Sequence, residues 1–233
     1  MPVLELNQKK LVNFKKAEEY YNALRTNIQL SGTDIKIIVI SSVEPGEGKS
    51  TTSTNLALSF ARAGYRTLLL DADIRNSVLS GVFKARERIT GLTEYLAGTA
   101  DLSHGLCETG LDNLFVIPAG GTSPNPTALL QSKHFGKMML ILRQHYDYVI
   151  VDTPPLGLVI DAAIITQSCD ASILVTEAGA VRQKVLTKAK EQLEQTRKPF
   201  LGVILNKYNA KLDKYGAYGA YGSYGNYGNY GKK

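Results

Sequence analysis

A glycine-containing loop between an apolar run and a patterned helix constrains this chain more than any other feature. The apolar run, residues 35–40, is short and rich in β-branched residues, which is typical of a buried parallel strand. Residues 52–63 have apolar side chains at helical spacing. Between the two, Gly46 and Gly48 precede Lys49. Glycine lets the backbone approach a ligand closely, and the N–H groups that begin a helix attract anions. The sequence therefore predicts a phosphate-binding loop.

The loop matches the pattern G-x-x-x-x-G-K-[ST] except at its first position, where Val43 replaces glycine. In that pattern the lysine, here Lys49, reaches the outer phosphates of a nucleotide, and the next hydroxyl, here Ser50, binds magnesium. A tight turn that merely starts a helix is the alternative, but the flanking strand and helix favour the phosphate loop. The expected nucleotide-binding residues are Gly46, Glu47, Gly48, Lys49, Ser50 and Thr51.

Carboxylates follow two further apolar runs. Asp71 and Asp73 come after the run 67–70, and Asp152 follows the run 148–151. Because the carboxyl ends of parallel strands meet at one edge of the sheet, where open α/β sheets bind ligands, we expect these side chains near the phosphate loop. Asp71 and Asp73 alone could be solvated loop residues or a helix cap. A carboxylate such as Asp152 at that edge suits a magnesium site.

Predicted strands and helices alternate along most of the chain. This alternation predicts an α/β, P-loop NTPase-like fold with a mostly parallel sheet and helices on both faces. Within residues 76–112 we expect only short helical pieces and no recognisable chemistry. The remaining strands are predicted at 113–117, 171–175 and 200–205, and the helices at 127–145, 162–167 and 181–196.

Length and composition favour one globular domain, residues 34–207, with 233 residues of which 44% are hydrophobic. No apolar run is long enough to span a membrane and no secretory signal is evident, so we expect a cytoplasmic chain without a direct membrane span. Cys107 and Cys169 lack metal-ligand spacing and are expected to be buried thiols. Residues 208–233 supply +3 of the net charge of +6, so the body has no strong nucleic-acid footprint.

The two ends of the chain differ from this domain. Residues 16–30 have the pattern of an amphipathic helix, and the N-terminal segment 1–33 either covers one face of the sheet or packs on a neighbouring subunit. The tail, residues 208–233, repeats tyrosine and glycine and is predicted to be disordered. It is either an adhesive segment or a substrate for phosphorylation. Its repeat tyrosines are Tyr215, Tyr218, Tyr221, Tyr224, Tyr227 and Tyr230.

Three motifs and the tail together resemble the bacterial tyrosine kinases that regulate capsular polysaccharide synthesis. That family has a Walker A loop, here 45–51, an aspartate motif after three aliphatic residues, here 71–75, and a Walker B motif with two prolines, here 151–155. A C-terminal tyrosine cluster completes the signature. The resemblance covers nearly the whole chain, and it implies an ATP- and magnesium-dependent kinase that phosphorylates its own tail tyrosines in trans.

The resemblance also implies roles for individual residues. Lys49 would contact phosphates, while Ser50 and Asp152 would organise magnesium. Asp71 or Asp73 would bind the metal or accept the proton of the tyrosine hydroxyl, and which aspartate does which stays open. Phosphoryl transfer needs charge neutralisation, positioning and a nearby carboxylate, and these side chains supply all three.

Two further correspondences are partial. Asn206, at the end of the last strand, is where related ATPases place an adenine contact. The family builds rings of subunits with a Glu-x-x-Arg-x-x-Arg helix, whereas this chain has Glu19, Asn22 and Arg25 at that spacing. A homo-oligomer is still expected.

The family resemblance implies partners as well. These are a membrane activator of the chain-length-regulator type, whose cytoplasmic end docks near the nucleotide and recruits the kinase to the inner face of the plasma membrane, and a cognate tyrosine phosphatase. No nucleic-acid partner is expected.

Two rival functions share parts of this pattern. A partitioning or division-site ATPase of the MinD type has the same fold and the first two motifs, but carries an extra lysine early in the loop, where this chain has Glu44 and Pro45. A non-catalytic scaffold would need neither Lys49 nor the three aspartates. Both rivals are therefore less consistent with the sequence than a kinase.

Overall fold

The computed structural model describes residues 1–85 and 89–208. The predicted disordered tail from residue 209 onward, with all six repeat tyrosines, lies outside the described residues, as do residues 86–88. Within the described ranges, no helix combines the length and the apolar character that crossing a bilayer requires.

The described residues form strands and helices that mostly alternate along the chain. The strands are β1 (Leu4–Leu6), β2 (Ile37–Ser42), β3 (Thr67–Asp71), β4 (Phe83–Ala85), β5 (Cys107–Glu108), β6 (Leu114–Ile117), β7 (Tyr148–Asp152), β8 (Ala171–Glu177) and β9 (Phe200–Asn206). The helices are α1 (Gln8–Ser31), α2 (Lys49–Arg62), α3 (Leu92–Leu96), α4 (Leu102–Gly105), α5 (Pro126–Leu130), α6 (Lys133–His145), α7 (Asp161–Thr166) and α8 (Gln183–Glu194).

One sheet of seven strands organises the fold, in the order β5-β6-β3-β7-β2-β8-β9. All neighbouring strands are parallel except β5 and β6. The short strands β1 and β4 form a separate antiparallel pair. The predicted α/β, P-loop NTPase-like architecture is confirmed, and β2, which leads into the phosphate loop, lies between β7 and β8 at the centre of the sheet.

The central strands are buried on both faces because alternate side chains point to opposite cores. Ile38 and Ile40 of β2 pack in the core that contains Phe60 of α2. Ile37 and Val39 belong to the opposite core, which is covered by apolar side chains of α6. Helices therefore cover both faces, as predicted, and the carboxyl edge of the sheet is held in a fixed position by packing from both sides.

Helix α1 is longer than the predicted helix at 16–30. It begins at Gln8, because the side chain of Asn7 caps its first turn. The helix packs on α2, and its residues Phe14 and Ile28 are buried in the same core as β2. At least within this chain, α1 covers one face of the core.

Glu19, Asn22 and Arg25 have the spacing of the family's oligomerisation motif, and two of them contact the rest of this chain. Asn22 accepts a hydrogen bond of 2.9 Å from the hydroxyl of Ser59 on α2, and Arg25 donates one of 2.9 Å to the backbone oxygen of Ser59. Glu19 is exposed. Two of the three side chains therefore bind α2 of their own chain.

The predicted single helix at 127–145 is wrong. The structure has two helices, α5 and α6, because Ser132 stops the first and caps the second by accepting the N–H of Phe135 at 3.3 Å. Sequence reasoning also missed the short strands β1, β4 and β5. The prediction of buried thiols is confirmed, since Cys107 and Cys169 are 0% and 1% exposed.

Candidate active site

Two glycines give the phosphate loop its shape. The φ angle is 81° at Gly46 and 97° at Gly48, in the left-handed region that favours glycine. Gly48 is also closely packed, since a Cβ atom there would lie 2.0 Å from the Nδ2 atom of Asn206. That Nδ2 donates a hydrogen bond of 2.9 Å to the backbone oxygen of Glu47. Asn206, which we expected near adenine, thus supports the loop backbone directly.

The side chain of Glu47 fastens the loop to its surroundings. It is 2% exposed, and its Oε2 accepts hydrogen bonds from the N–H groups of Val43 at 2.8 Å and Glu44 at 2.7 Å. Its Oε1 accepts hydrogen bonds from the Thr176 hydroxyl at 2.7 Å and the Glu177 N–H at 3.2 Å. Both carboxylate oxygens are therefore used within the protein, and only the backbone of Glu47 is available to a phosphate.

Lys49, the first residue of α2, places its ammonium group among oxygen atoms. Its Nζ lies 3.1 Å from Oδ2 of Asp73 and 3.9 Å from Oδ2 of Asp152. It also donates a hydrogen bond of 3.2 Å to the hydroxyl of Ser50. Lys49 is 8% exposed. The positive charge is thus concentrated at the point where the phosphate loop meets the carboxyl ends of β3 and β7.

The aspartates that end β3 and β7 lie side by side, as the strand pattern predicted. Asp71 pairs in register with Asp152, and each is 1% exposed. Burial and, secondarily, the charge of Asp152 raise the pKa of Asp71 to about 7. The pKa of Asp152 is also raised by burial, which the Lys49 charge partly offsets. Two carboxylates buried side by side repel each other and have lost their hydration. A cation bound between the protein and these carboxylates would therefore be stabilising.

Hydrogen bonds hold each carboxylate in place. Asp71 accepts hydrogen bonds from the Ser77 hydroxyl and, at 3.2 Å, from the Asp73 N–H. Asp152 accepts a hydrogen bond of 3.0 Å from the hydroxyl of Ser53 on α2. Sequence reasoning gave no role to Ser53 or Ser77. The spacing of Ser53 offered a signal, since it lies one helical turn after Ser50.

A cavity of about 320 Å³ opens above these groups. Lys49, Ser50 and Asp73 contribute to its walls together with Gly46 and Gly48 of the phosphate loop. Thr51 also lines this cavity. Within the ranges 1–85 and 89–208, no three His, Cys, Asp or Glu side chains are grouped so as to hold a metal ion by themselves. A metal here would need oxygen ligands from Ser50 and from a bound nucleotide, which is the usual way that magnesium is held beside phosphates.

A second ion pair, between a partly exposed arginine and a buried carboxylate, fixes one wall of the cavity. Arg75 donates hydrogen bonds from Nε at 2.6 Å and from Nη2 at 3.2 Å to the carboxylate of Asp161, which is 0% exposed. Thr127 donates a further hydrogen bond of 3.0 Å to Asp161. Three segments distant in sequence therefore meet at one carboxylate. Sequence reasoning missed Asp161, although an acid at the start of an apolar helix was a signal.

A family model and a curated protein both match most of this chain. The family model described as "AAA domain" matches residues 35–201. The tyrosine-protein kinase CpsD of Streptococcus pneumoniae is 67% identical over 216 residues, which is 93% of this chain and 95% of that protein.

Solved structures of similar fold include kinase domains. The chimerical protein CapA2B2 has a TM-score of 0.81 at 30% identity, covering 89% of this chain and 93% of that chain. The kinase domain of the Escherichia coli tyrosine kinase ETK has a TM-score of 0.77 at 33% identity, covering 84% and 78%. The septum site-determining protein MinD of Pyrococcus horikoshii, complexed with Mg-ADP, has a TM-score of 0.63 at 29% identity, covering 75% and 71%.

Proposed function

This chain belongs to the bacterial tyrosine-protein kinases of the CpsD type, and from that premise we propose that it phosphorylates the tyrosines of its own C-terminal segment in trans. By this modification it would regulate the synthesis and export of capsular polysaccharide. The observation that carries the proposal is the position of Lys49, 3.1 Å from Asp73 and 3.9 Å from Asp152 beside the phosphate loop. A cation and carboxylates at one phosphate site are what phosphoryl transfer to a hydroxyl requires.

The residues at the cavity have distinct proposed roles. The N–H groups from Gly46 to Thr51 and the ammonium of Lys49 would hold the phosphates of ATP. The Ser50 hydroxyl, Asp152 and Asp71 offer the hard oxygen ligands that suit magnesium, which would neutralise negative charge on the phosphates of ATP.

Asp73 is the carboxylate best placed to act as the base. It lines the cavity and contacts Lys49, whereas Asp71 lies deeper and accepts a hydrogen bond from Ser77. In the proposed step the phenol oxygen of tyrosine attacks the γ-phosphorus of ATP, and the bond from that phosphorus to the β,γ-bridging oxygen breaks. The phenol proton goes to Asp73, and the products are phosphotyrosine and ADP.

The length of the tail supports transfer between copies. Residues 208–233 can span at most about 85 Å when fully extended, at roughly 3.3 Å per residue. The repeat tyrosines lie 7 to 22 residues beyond residue 208, so their maximum reach grows from about 23 Å at Tyr215 to about 73 Å at Tyr230. The distal tyrosines are therefore the ones best able to enter the cavity of a neighbouring copy. Six phosphates would make a segment of charge +3 strongly negative, which is a large electrostatic change.

Family membership supports the proposed partners. We expect a homo-oligomer at the inner face of the plasma membrane, a membrane activator of the chain-length-regulator type that docks near the nucleotide, and a tyrosine phosphatase that reverses the reaction. The exposed Glu19 on α1 leaves part of the oligomerisation motif accessible to a neighbouring copy.

Mass spectrometry of the 208–233 peptide tests the kinase assignment. The purified chain is incubated with ATP and magnesium, with and without the activator's cytoplasmic segment. We expect phosphate on several repeat tyrosines, and none in the Lys49→Met chain. An unmodified peptide under both conditions, with ATP still hydrolysed, would instead favour an ATPase switch of the partitioning type.

A mixing experiment tests transfer in trans. A Lys49→Met chain that retains its tail is combined with a catalytic chain that lacks residues 208–233. We expect phosphate on the tail of the Lys49→Met chain. If that tail stays unlabelled while the intact chain labels itself, transfer takes place only within one molecule.

A further inference from the structure

Two exposed apolar side chains line the catalytic cavity. Val78, in the segment after β3, is 52% exposed, and Leu158, in the segment after β7, is 62% exposed. Both line the cavity that also contains Lys49 and Asp73. Exposed apolar side chains that converge on one entrance from two separate segments commonly mark a binding surface.

Both segments are held firmly against the reactive groups. The N–H of Leu156 donates a hydrogen bond of 2.8 Å to the backbone oxygen of Ser42, and that of Gly157 donates one of 2.9 Å to the oxygen of Val43. Gly157 is so close that a Cβ atom there would lie 2.4 Å from this oxygen. Leu158 is therefore positioned by the strand and loop that lead to Lys49.

The segment of Val78 is anchored to the catalytic aspartates. The N–H of Asn76 donates a hydrogen bond of 3.1 Å to Asp73, and the hydroxyl of Ser77 donates one to Asp71. The two apolar side chains thus belong to segments whose distance from the reacting atoms is set by hydrogen bonds. Such preorganised walls orient a bound group at little entropic cost.

The depth of the reactive groups restricts which hydroxyl can reach them. Lys49 is 8% exposed and Asp73 is 4% exposed, so they lie at the floor of the cavity. A tyrosine hydroxyl lies at the far end of a flat apolar ring, several ångströms farther from the backbone than a serine or threonine hydroxyl. A ring that crosses an apolar entrance gains from burial, whereas a polar main chain drawn into it does not.

We propose that Val78 and Leu158 form the wall that receives the aromatic ring of the acceptor tyrosine, and that this wall makes the kinase selective for tyrosine over serine and threonine. The occupant is a repeat tyrosine from the tail of a second copy of this chain. The assignment rests on the proposed trans phosphorylation of that tail.

Phosphate transfer between two full-length chains tests the roles of Val78 and Leu158. The enzyme chain carries Phe at all six repeat tyrosines, and the acceptor chain carries Lys49→Met. Leu158→Ala and Val78→Ala are introduced separately into the enzyme chain. We expect each to raise the KM for the acceptor chain about fivefold, from the apolar area lost, and to raise the KM for ATP by a smaller factor.

Matched controls use exposed apolar residues that do not line the cavity. Leu140, 65% exposed on α6, and Val185, 40% exposed on α8, are changed to alanine and should leave both KM values unchanged. A further acceptor chain, with the repeat tyrosines replaced by serine, should remain unlabelled.

The outcomes separate this inference from the function on which it rests. If the parent enzyme chain does not label the acceptor chain at all, the proposed trans phosphorylation fails. If it does so, and Leu158→Ala and Val78→Ala have the parent KM for the acceptor, the wall is overturned. Labelling of the serine acceptor would overturn the selectivity.

Discussion

The carboxylate of Glu47 accepts a hydrogen bond of 2.7 Å from the hydroxyl of Thr176, which joins the phosphate loop to β8. The other oxygen of the same carboxylate accepts the N–H groups of Val43 and Glu44 within the loop. One buried side chain thus fixes both the internal shape of the loop and its position on the sheet. The conformation of the loop is therefore fixed by the protein itself, as the proposed binding of phosphate by its N–H groups would require.

We expect Glu47→Gln to weaken ATP binding about tenfold. The amide would turn an –NH₂ group toward N–H donors that now bond to a carboxylate, and such a loss at a buried group costs about 1–3 kcal/mol. The dissociation constant for ATP, measured by calorimetry, checks this. Glu44→Gln, the same change at an exposed loop position, should leave the affinity unchanged. Equal affinities for both variants would contradict the role of Glu47.

Asp71 should make stability depend on pH. Burial and the charge of Asp152 raise its pKa from 3.8 to about 7, so the folded state binds its proton more tightly than the unfolded state does. Protonated Asp71 therefore contributes fully to the free energy of unfolding below about pH 4. This contribution is lost as the pH rises through about 7, which lowers the free energy of unfolding by about 4 kcal/mol.

Urea unfolding at acidic and mildly alkaline pH measures this effect. Asp71→Asn cannot ionise, and it keeps an oxygen for the N–H of Asp73, so its free energy of unfolding should fall less with rising pH than that of the parent. Asp112→Asn, at an exposed aspartate, should follow the parent curve. A parent-like pH dependence in Asp71→Asn would refute the assignment.

Arg75 and Asp161 should show strong energetic coupling. Arg75→Ala leaves the Asp161 carboxylate buried with the Thr127 hydroxyl, and we expect a loss of about 2 kcal/mol, below the cost for a fully buried pair because the Arg75 side chain is 35% exposed. The double variant Arg75→Ala/Asp161→Ala should lose less unfolding free energy than the sum of the losses in the two single variants.

A double-mutant cycle on the unfolding free energies measures that coupling. The surface pair of Arg62 and Glu18, with side chains 38% and 33% exposed, is the reference and should couple by no more than about 1 kcal/mol. A coupling for Arg75 and Asp161 as small as this reference would show that the pair does not hold the cavity wall.

Replacing all six repeat tyrosines by phenylalanine should remove phosphate from the tail without altering ATP affinity. The ring is retained, and only the hydroxyl that accepts phosphate is lost. Phosphate incorporation and the dissociation constant for ATP are the two measurements. Undiminished incorporation would mean that the acceptor tyrosines lie elsewhere in the chain.

Several features of the fold could be predicted from the sequence because they depend on local patterns. Alternation of short apolar runs with helical patterns predicted the parallel sheet, and strand ends predicted that Asp71 and Asp152 would meet at one edge. Local patterning failed where a cap interrupts an otherwise helical stretch, as Ser132 does between α5 and α6. The roles assigned to the loop and the aspartates remain predictions.

By itself, the sequence determined the strand–loop–helix pattern of the phosphate loop, the alternation of the main parallel strands with helices and the edge at which acidic side chains collect. These follow from residue types within a few positions of one another. Only the tertiary structure decided that Glu47 bonds to Thr176, that Arg75 pairs with Asp161, and that Val78 and Leu158 share one entrance. These contacts join segments far apart in the chain. They depend on strand order and on the packing of loops at the sheet edge, which the periodicity of side chains does not encode.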